Sequence, residues 1–127
     1  MALTSACESD DSDAGAASLA GTSWQLSAWS ASSSDPSDFN ITANFDDASV
    51  GGRSAVNTYG ADYTASSDGD LRITQIVSTQ MAGSPEAMHA EELYFNLLGE
   101  VRSYRMTAET LIMTDAGGHD VLVFDRR

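Results

Sequence analysis

The sequence predicts a mainly β (α+β) domain: a small antiparallel β-barrel or strongly curled sheet of seven to eight strands with one helix packed on it. Two patterns support this fold class. Short stretches in which apolar and polar residues alternate recur along the chain between turn-forming residues, as in half-buried strands. One later stretch repeats its apolar residues at helical spacing. Because the chain has 127 residues, it has room for one core.

The first half of the chain has the clearest strand patterns. Residues 21–28 alternate so that Trp24 and Leu26 share one face. A loop rich in serine and aspartate follows at residues 30–37. Residues 39–45 form the next predicted strand. Its predicted inward side chains are Phe39, Ile41, Ala43 and Phe45.

The middle of the chain predicts a hairpin that follows a glycine pair. Gly51 and Gly52 come just after the start of a short strand at Val50, and they indicate a bulge or a close approach of two backbones. A turn is predicted at residues 66–70, because its Asp-Gly pair supplies positive φ angles. The apolar positions of the strands on either side are Tyr59, Tyr63, Leu71, Ile73, Ile76 and Val77.

One helix is predicted after this hairpin. Ser84 is suited to the N-cap, Pro85 to the first helical position, and Glu86 to the positive end of the helix. Gly99 is predicted to end it. Its apolar stripe consists of Ala87, Ala90, Tyr94, Leu97 and Leu98, and its predicted solvent side includes Glu91 and Glu92.

Three short strands are predicted to complete the fold. They lie at residues 101–106, 110–114 and 121–124, with a turn at 115–118 before the last. The last strand is apolar throughout. This indicates either burial on both faces or closure of the sheet against the first strand.

The charge excludes several function classes. The sequence has nineteen acidic residues, six arginines and no lysine, so the net charge is −13. Such a field repels nucleic acids and anionic lipid surfaces, so we expect no nucleic-acid binding. A partner, whether a protein or a small molecule, is expected to be cationic or neutral. The domain itself is predicted to be a monomer.

The N-terminal segment predicts a tether. Residues 1–18 are polar and acidic after Cys7, and we interpret them as a disordered linker before a domain at 19–127. Small residues precede Cys7, as they do at the end of a bacterial lipoprotein signal. Cys7 is therefore a hypothetical lipid anchor, which would be the only link to a membrane. The alternative is a disordered cytosolic N-terminus with an incidental cysteine.

Three segments of the sequence resemble the META domain, the HslJ-like family of small bacterial envelope proteins. They are Gly-Gly-Arg-Ser-Ala-Val-Asn-Thr-Tyr-Gly-Ala-Asp-Tyr at 51–63, Ser-Thr-Gln-Met-Ala-Gly-Ser-Pro-Glu at 78–86 and Leu-Ala-Gly-Thr-Ser-Trp-Gln-Leu at 19–26. The resemblance implies a compact barrel with a helix at its side or mouth. It also implies a location outside the cytoplasm and a link to heat or antibiotic stress.

The sequence departs from the family motifs at two positions. Family members usually have cysteines where this chain has Val56 and Gly83. If such a cysteine pair bridges the central strand to the start of the helix, its loss here leaves a small apolar contact. The chain's single cysteine, Cys7, also excludes an intramolecular disulfide.

The candidate binding residues lie in the first motif. Asn57, Tyr59 and Tyr63 are predicted to bind a ligand at the barrel mouth. The competing interpretation is structural, with Asn57 bonded to nearby backbone groups and both tyrosines packed in the core. No catalytic residues, cofactor or metal site are predicted, because the two histidines, His89 and His119, lack metal-ligand spacing.

The sequence therefore predicts a non-catalytic, extracytoplasmic accessory or stress-response domain that acts by binding. Two alternatives stay open. One is a β-barrel that holds a small molecule in an interior cavity. The other is a hydrolase with a site around His119, which requires a second titratable group within hydrogen-bond reach.

Overall fold

A computed structural model describes residues 19–30 and 35–127. The predictions about Cys7, the linker at 1–18 and the centre of the serine-rich loop lie outside these residues. The described strands are β1 (Ser23–Trp29), β2 (Thr42–Phe45), β3 (Ser49–Arg53), β4 (Thr58–Ala65), β5 (Leu71–Ser78), β6 (Ser103–Met106), β7 (Thr110–Thr114) and β8 (Asp120–Arg126). The described helices are a 3-10 helix, Pro36–Phe39, and an α-helix, α1 (Pro85–Glu100).

The strands form one antiparallel sheet in the order β5-β4-β3-β2-β1-β8-β7-β6. Neighbours in the sheet are neighbours in sequence, except that β8 pairs with β1 and places Phe124 opposite Leu26. The sheet curls into a half-barrel, which confirms the predicted fold class and the closure against the first strand. Its two terminal strands meet at one bridge between Asp70 and Ser103.

Helix α1 packs against β5 and the 3-10 helix, and its C-terminal end leads into β6. The Ser84 hydroxyl accepts a hydrogen bond from the Ala87 N–H at 3.1 Å, so Ser84 is the N-cap as predicted. Tyr94 is fully buried, with its ring 5.5 Å from that of Tyr59 and 6.5 Å from that of Phe124. The buried face of the helix consists of Ala90, Tyr94, Leu97 and Leu98.

Two local predictions were wrong. Phe39 ends the 3-10 helix instead of beginning a strand, because Asn40 adopts a positive φ of 55° that interrupts the extended backbone. Phe39 still packs against the core from there, and Ile41, Ala43 and Phe45 are buried as expected. Gly99 does not end α1, which continues to Glu100 and is capped by Val101. The buried stripe extends through Leu98, so packing holds the last turn across the glycine.

The glycine pair in β3 marks a close approach of backbones. A Cβ atom on Gly51 would lie 2.7 Å from the Tyr59 carbonyl oxygen, and one on Gly52 would lie 2.6 Å from that of Thr42. Both neighbouring strands therefore exclude a side chain here. In the part of the chain that the structure describes, no helix is long and apolar enough to cross a membrane.

Candidate functional site

Asn57 occupies the connection between β3 and β4 and is 4% exposed. Its side-chain oxygen accepts hydrogen bonds from the Thr79 hydroxyl at 2.8 Å and the Met81 N–H at 2.7 Å. Its side-chain nitrogen donates to the Met81 carbonyl at 3.2 Å and to Glu91 Oε2 at 2.9 Å. These four bonds use two acceptor sites and both donors of the amide. Asn57 thus joins the end of the β4–β5 pair, the segment before α1 and the helix itself.

Glu91 is the partner of Asn57 that the sequence did not reveal. The prediction that Glu91 lies on the solvent side of the helix was wrong. Its Oε1 accepts hydrogen bonds from the Ser54 hydroxyl at 2.7 Å and from the Asn57 N–H at 2.9 Å. The Val56 N–H donates to the same oxygen at 3.3 Å. Helical spacing did carry a signal: Glu91 lies four residues after Ala87 and three before Tyr94, on the face of the apolar stripe.

The connection folds so that its N–H groups converge on this carboxylate. The Ser54 N–H donates to the Asn57 carbonyl at 2.8 Å, which closes a tight turn. Ala55 within it has a φ of 94°, a conformation uncommon for residues other than glycine. Consecutive N–H groups turned to one side form a concave anion-binding surface. In this chain the anion is the protein's own Glu91 side chain.

The hydrogen bonds keep Glu91 ionised. Partial burial acts to raise the pKa of Glu91, but the bonds from the Ser54 hydroxyl and from the side chain and backbone of Asn57 outweigh it and lower that pKa. The carboxylate is therefore charged at neutral pH, and its charge is met by donors of the same chain. We call Ser54, Asn57 and Glu91 the Asn57 junction.

An apolar contact lies beside the Asn57 junction. A Cβ atom on Gly83 would lie 3.5 Å from the Val56 Cβ and 2.8 Å from its Cγ2 atom. Val56 thus packs directly on the backbone of Gly83, which agrees with the small apolar contact expected at these two positions.

Tyr59 and Tyr63 both face the core and are less than a tenth exposed. The Tyr59 hydroxyl donates to the Thr42 carbonyl at 2.8 Å and shares a hydrogen bond of 2.6 Å with the Tyr94 hydroxyl. The Tyr63 hydroxyl donates to the Asp46 carbonyl at 2.5 Å. The structure therefore brings Asn57 and Tyr59 to the helix side of the half-barrel and places Tyr63 farther along β4. A ligand role for these three residues stays a prediction, since their polar atoms bond within the chain.

His119 lies on the turn before β8, away from the Asn57 junction. Its Nδ1 is 3.2 Å from Asp115 Oδ1, and its side chain is 77% exposed. The same Asp115 oxygen accepts hydrogen bonds from the N–H groups of Gly117 and His119, at 3.0 and 2.9 Å. These bonds from His119 and Gly117 lower the pKa of Asp115. Among the described residues, no group of three His, Cys, Asp or Glu side chains could hold a metal ion.

Exposed apolar side chains concentrate near the Asn57 junction. The exposed large hydrophobic residues of the described chain are Val77, Met81 and Met88, at 68%, 64% and 47%. They occur at the end of β5, in the segment that Asn57 binds and in the first turns of α1. Sequence periodicity placed Val77 in the sheet but carried no signal for the exposure of the two methionines.

The chain resembles several known structures. The NMR structure of a protein from Burkholderia xenovorans is 27% identical, with a TM-score of 0.71, and the match covers 98% of this chain and 94% of that one. A second NMR structure, at 17% identity, and the crystal structure of a duf4847 family protein from Bacteroides vulgatus, at 13%, both have TM-scores of 0.62. Those two matches cover 87% and 84% of this chain, and 92% and 93% of the others.

Sequence comparison identifies the family. No curated protein gives a significant match to the chain. The META domain family model matches residues 17–127, which include every described strand and α1. On this match, the chain belongs to the META domain family.

Proposed function

We propose that this META domain is a non-catalytic binding module that acts outside the cytoplasm, as an accessory or stress-response component of the cell envelope. The observation that carries the proposal is the concentration of exposed large apolar side chains at Val77, Met81 and Met88. Apolar side chains grouped at a protein surface mark interaction sites, because covering them removes apolar area from water.

The polar groups near this surface support binding over catalysis. The Glu91 carboxylate and the Asn57 amide bond to each other and to neighbouring backbone groups. A general base needs a lone pair directed at a substrate proton, whereas Glu91 Oε1 already accepts three hydrogen bonds and Oε2 one, all from groups of this chain. The Asn57 junction is thus suited to holding a surface in place.

The hydrolase alternative has one favourable observation, the Asp115 carboxylate beside His119. That carboxylate also accepts hydrogen bonds from two N–H groups of its own turn. Aspartate commonly stabilises turns in this way, with or without a catalytic role. The pair also lies on an exposed turn, where water screens its charges. We therefore propose no catalytic role for it.

The extracytoplasmic location is proposed from the family resemblance and from the small residues before Cys7. A diacylglyceryl mass on an N-terminal Cys7, measured on protein made in its own host from its native upstream sequence, would support a lipid anchor. An unmodified, internal Cys7 would contradict it.

Photo-crosslinking in the native host tests the binding function. Met81 or Met88 is replaced by benzoylphenylalanine, and the matched control carries it at Asp68, an exposed residue in the turn at the other end of β4. We expect a discrete adduct with an envelope protein from positions 81 and 88, identified by mass spectrometry, and none from position 68. No adduct at 81 or 88, or the same adduct from all three positions, would contradict the proposal.

A further inference from the structure

We infer that the surface formed by Val77, Met81 and Met88, here the 77–88 surface, binds a basic amphipathic peptide segment of a partner protein. The apolar side chains of that segment would cover the 77–88 surface, and its lysines or arginines would reach Glu86 and Glu92. The inference rests on the proposed function and deepens it by stating the chemistry of the partner.

Each of the three residues is connected to the Asn57 side chain, either directly or through a residue close to it in sequence. Met81 is bonded to it through both its N–H and its carbonyl group. Val77 lies two residues before Thr79, whose hydroxyl donates to the same amide. Met88 lies three residues before Glu91 on α1, so the two share a helix face. Glu91 accepts a hydrogen bond from the Asn57 side-chain amide. Each exposed side chain therefore lies within three residues of a group that is bonded to Asn57.

This region combines a fixed backbone with adaptable side chains. The two hydrogen bonds between the Asn57 side chain and the Met81 backbone hold that backbone in place, while the Met81 side chain stays largely exposed. A methionine side chain is unbranched and polarisable, so it can fit apolar partners of different shapes. Holding the backbone in advance lowers the conformational entropy lost on binding.

A shallow depression next to Val77 has room for a partner's side chain. Val77 pairs across the strands with Gly60, and a Cβ atom on Gly60 would have no atom within 4 Å. The depression has a volume of about 270 Å³ and is lined by Thr58, Tyr59, Gly60, Val77, Ser78 and Thr79. Pockets for whole drug-sized ligands usually have about 300–1,000 Å³. An inserted side chain suits this space better than a separate small molecule.

The charge around the 77–88 surface determines which partner fits. Between Arg72 and Arg102 the sequence has four glutamates and no lysine or arginine. A cation on the neighbouring strand, Arg53, pairs with Thr58, and its guanidinium donates to the Ala55 carbonyl. Of the four glutamates, Glu86 and Glu92 are exposed, and Glu92 lies one helical turn after Met88. Asp62, exposed on β4, adds a carboxylate on the sheet side. An acidic partner or an anionic lipid surface would be repelled, whereas a basic segment gains attraction and faster association.

Two synthetic peptides of equal length and identical leucine pattern test the inference, one with lysine at every polar position and the other with glutamate. Binding of each fluorescently labelled peptide to the 127-residue chain is measured by anisotropy at low and high salt. We expect the lysine peptide to bind, with an affinity that salt weakens, and the glutamate peptide not to bind. No binding of the lysine peptide, or equal binding of both, would overturn the inference.

Three double variants distinguish the 77–88 surface from general attraction to an acidic protein. Met81→Gln with Met88→Gln is expected to weaken binding about tenfold or more through lost apolar burial. Glu86→Gln with Glu92→Gln is expected to weaken it about fivefold. The control, Glu109→Gln with Asp125→Asn, removes the same charge at exposed positions in the β6–β7 turn and on β8, a strand that does not pair with β4 or β5, and should change affinity less than about twofold.

The variants also separate this inference from the proposed function. All substituted side chains are exposed, so circular dichroism and thermal melting should match the unsubstituted chain. If the methionine variant binds the lysine peptide normally while the control variant does not, the inference is overturned. If photo-crosslinks at 81 and 88 persist while the peptide tests fail, the binding function stands and the basic partner is wrong.

Discussion

The β5 edge of the sheet is closed in two different ways. At one end, the backbones of β5 and β6 meet directly: the Leu71 N–H donates to the Arg102 carbonyl at 2.9 Å, and the Tyr104 N–H to the Gly69 carbonyl at 2.8 Å. Beside that contact, α1 packs against β5 and is fastened by side chains. Tyr94 bonds to Tyr59, and Glu91 bonds to Ser54 and Asn57 within the Asn57 junction.

The two closures should respond differently to substitution. Backbone hydrogen bonds form with almost any residue except proline, so the strand closure tolerates changes of side chain. The helix closure depends on a charged acceptor that faces several donors in a partly buried space, where an unpaired group costs more. We therefore expect the effects of substitution on stability to be large at the Asn57 junction and small at the bridge between Asp70 and Ser103.

Removing the carboxylate should produce the largest effect. Glu91→Ala removes the carboxylate that accepts hydrogen bonds from the Ser54 hydroxyl, from the Asn57 N–H and from one hydrogen of the Asn57 side-chain amide, all on buried residues. Hydrogen bonds to a charged group contribute about 1.5–3 kcal/mol each, so we expect a loss of about 3–5 kcal/mol in the free energy of unfolding. Urea denaturation measures it. Glu92→Ala, one residue on and exposed, is the control and should change stability by less than about 0.5 kcal/mol. A cost below about 1 kcal/mol for Glu91→Ala would show that the junction does not fasten the helix.

A covalent link beside the junction should have the next largest effect, in the opposite direction. The 3.5 Å between the Val56 Cβ and a Cβ on Gly83 is within the range for a disulfide. In a Cys7→Ser background, Val56→Cys with Gly83→Cys is expected to oxidise and to stabilise the domain by about 3 kcal/mol. The measurement is the melting temperature with and without reductant, and Val56→Cys alone is the control. Equal melting temperatures in both states would contradict the geometry.

The elements that the sequence predicted well are those determined by local chemistry. The turn after β4 has Gly69 at a φ of 94°, as its Asp-Gly pair required, and Ser84 caps α1. The pairing of β8 with β1 followed from an apolar run that needed cover on both sides. For the turn and the cap the physical cause lies within a few residues of the structure that it produces, whereas for β8 the local signal was the apolar run and its partner lies at the other end of the chain.

The features that escaped prediction depend on residues far apart in the chain. Glu91 accepts from Ser54 and Asn57, which precede it by 37 and 34 residues, and no local pattern states that these donors need a carboxylate. Phe39 was assigned to a strand because it lies two residues before Ile41, as on one face of a strand. The positive φ at Asn40 interrupts the extended backbone between them. For Asn57, the sequence left ligand and structural roles open because its partners across the fold were unknown.

Acid should weaken the helix closure selectively. The folded-state pKa of Glu91 is below its ordinary value of 4.5, so its contribution to stability is complete above pH 4.5 and is lost as pH falls through the folded-state pKa. A protonated glutamate resembles glutamine in shape and charge. Glu91→Gln is therefore expected to cost about 1–2 kcal/mol at pH 7 and progressively less below pH 4.5. Urea denaturation from pH 7 to pH 3 measures this difference, and Glu92→Gln is the control. A difference that stays constant with pH would mean that the charge of Glu91 does not contribute.

The smallest effect should come from the strand closure. The Ser103 hydroxyl is hydrogen-bonded to the Thr114 hydroxyl, which also donates to the Ser103 carbonyl at 3.3 Å. Ser103→Ala removes the first bond and leaves the second, together with the backbone bonds of Leu71 and Tyr104. We expect a loss of about 0.5–1 kcal/mol in the free energy of unfolding by urea denaturation, several times less than for Glu91→Ala. If Ser103→Ala costs as much as Glu91→Ala, the side-chain bond between β6 and β7 supports the bridge as strongly as Glu91 supports the helix, and the helix closure is not the more sensitive of the two. If it costs little, the half-barrel is closed at one end by a backbone contact that tolerates substitution and at the other by a junction that does not.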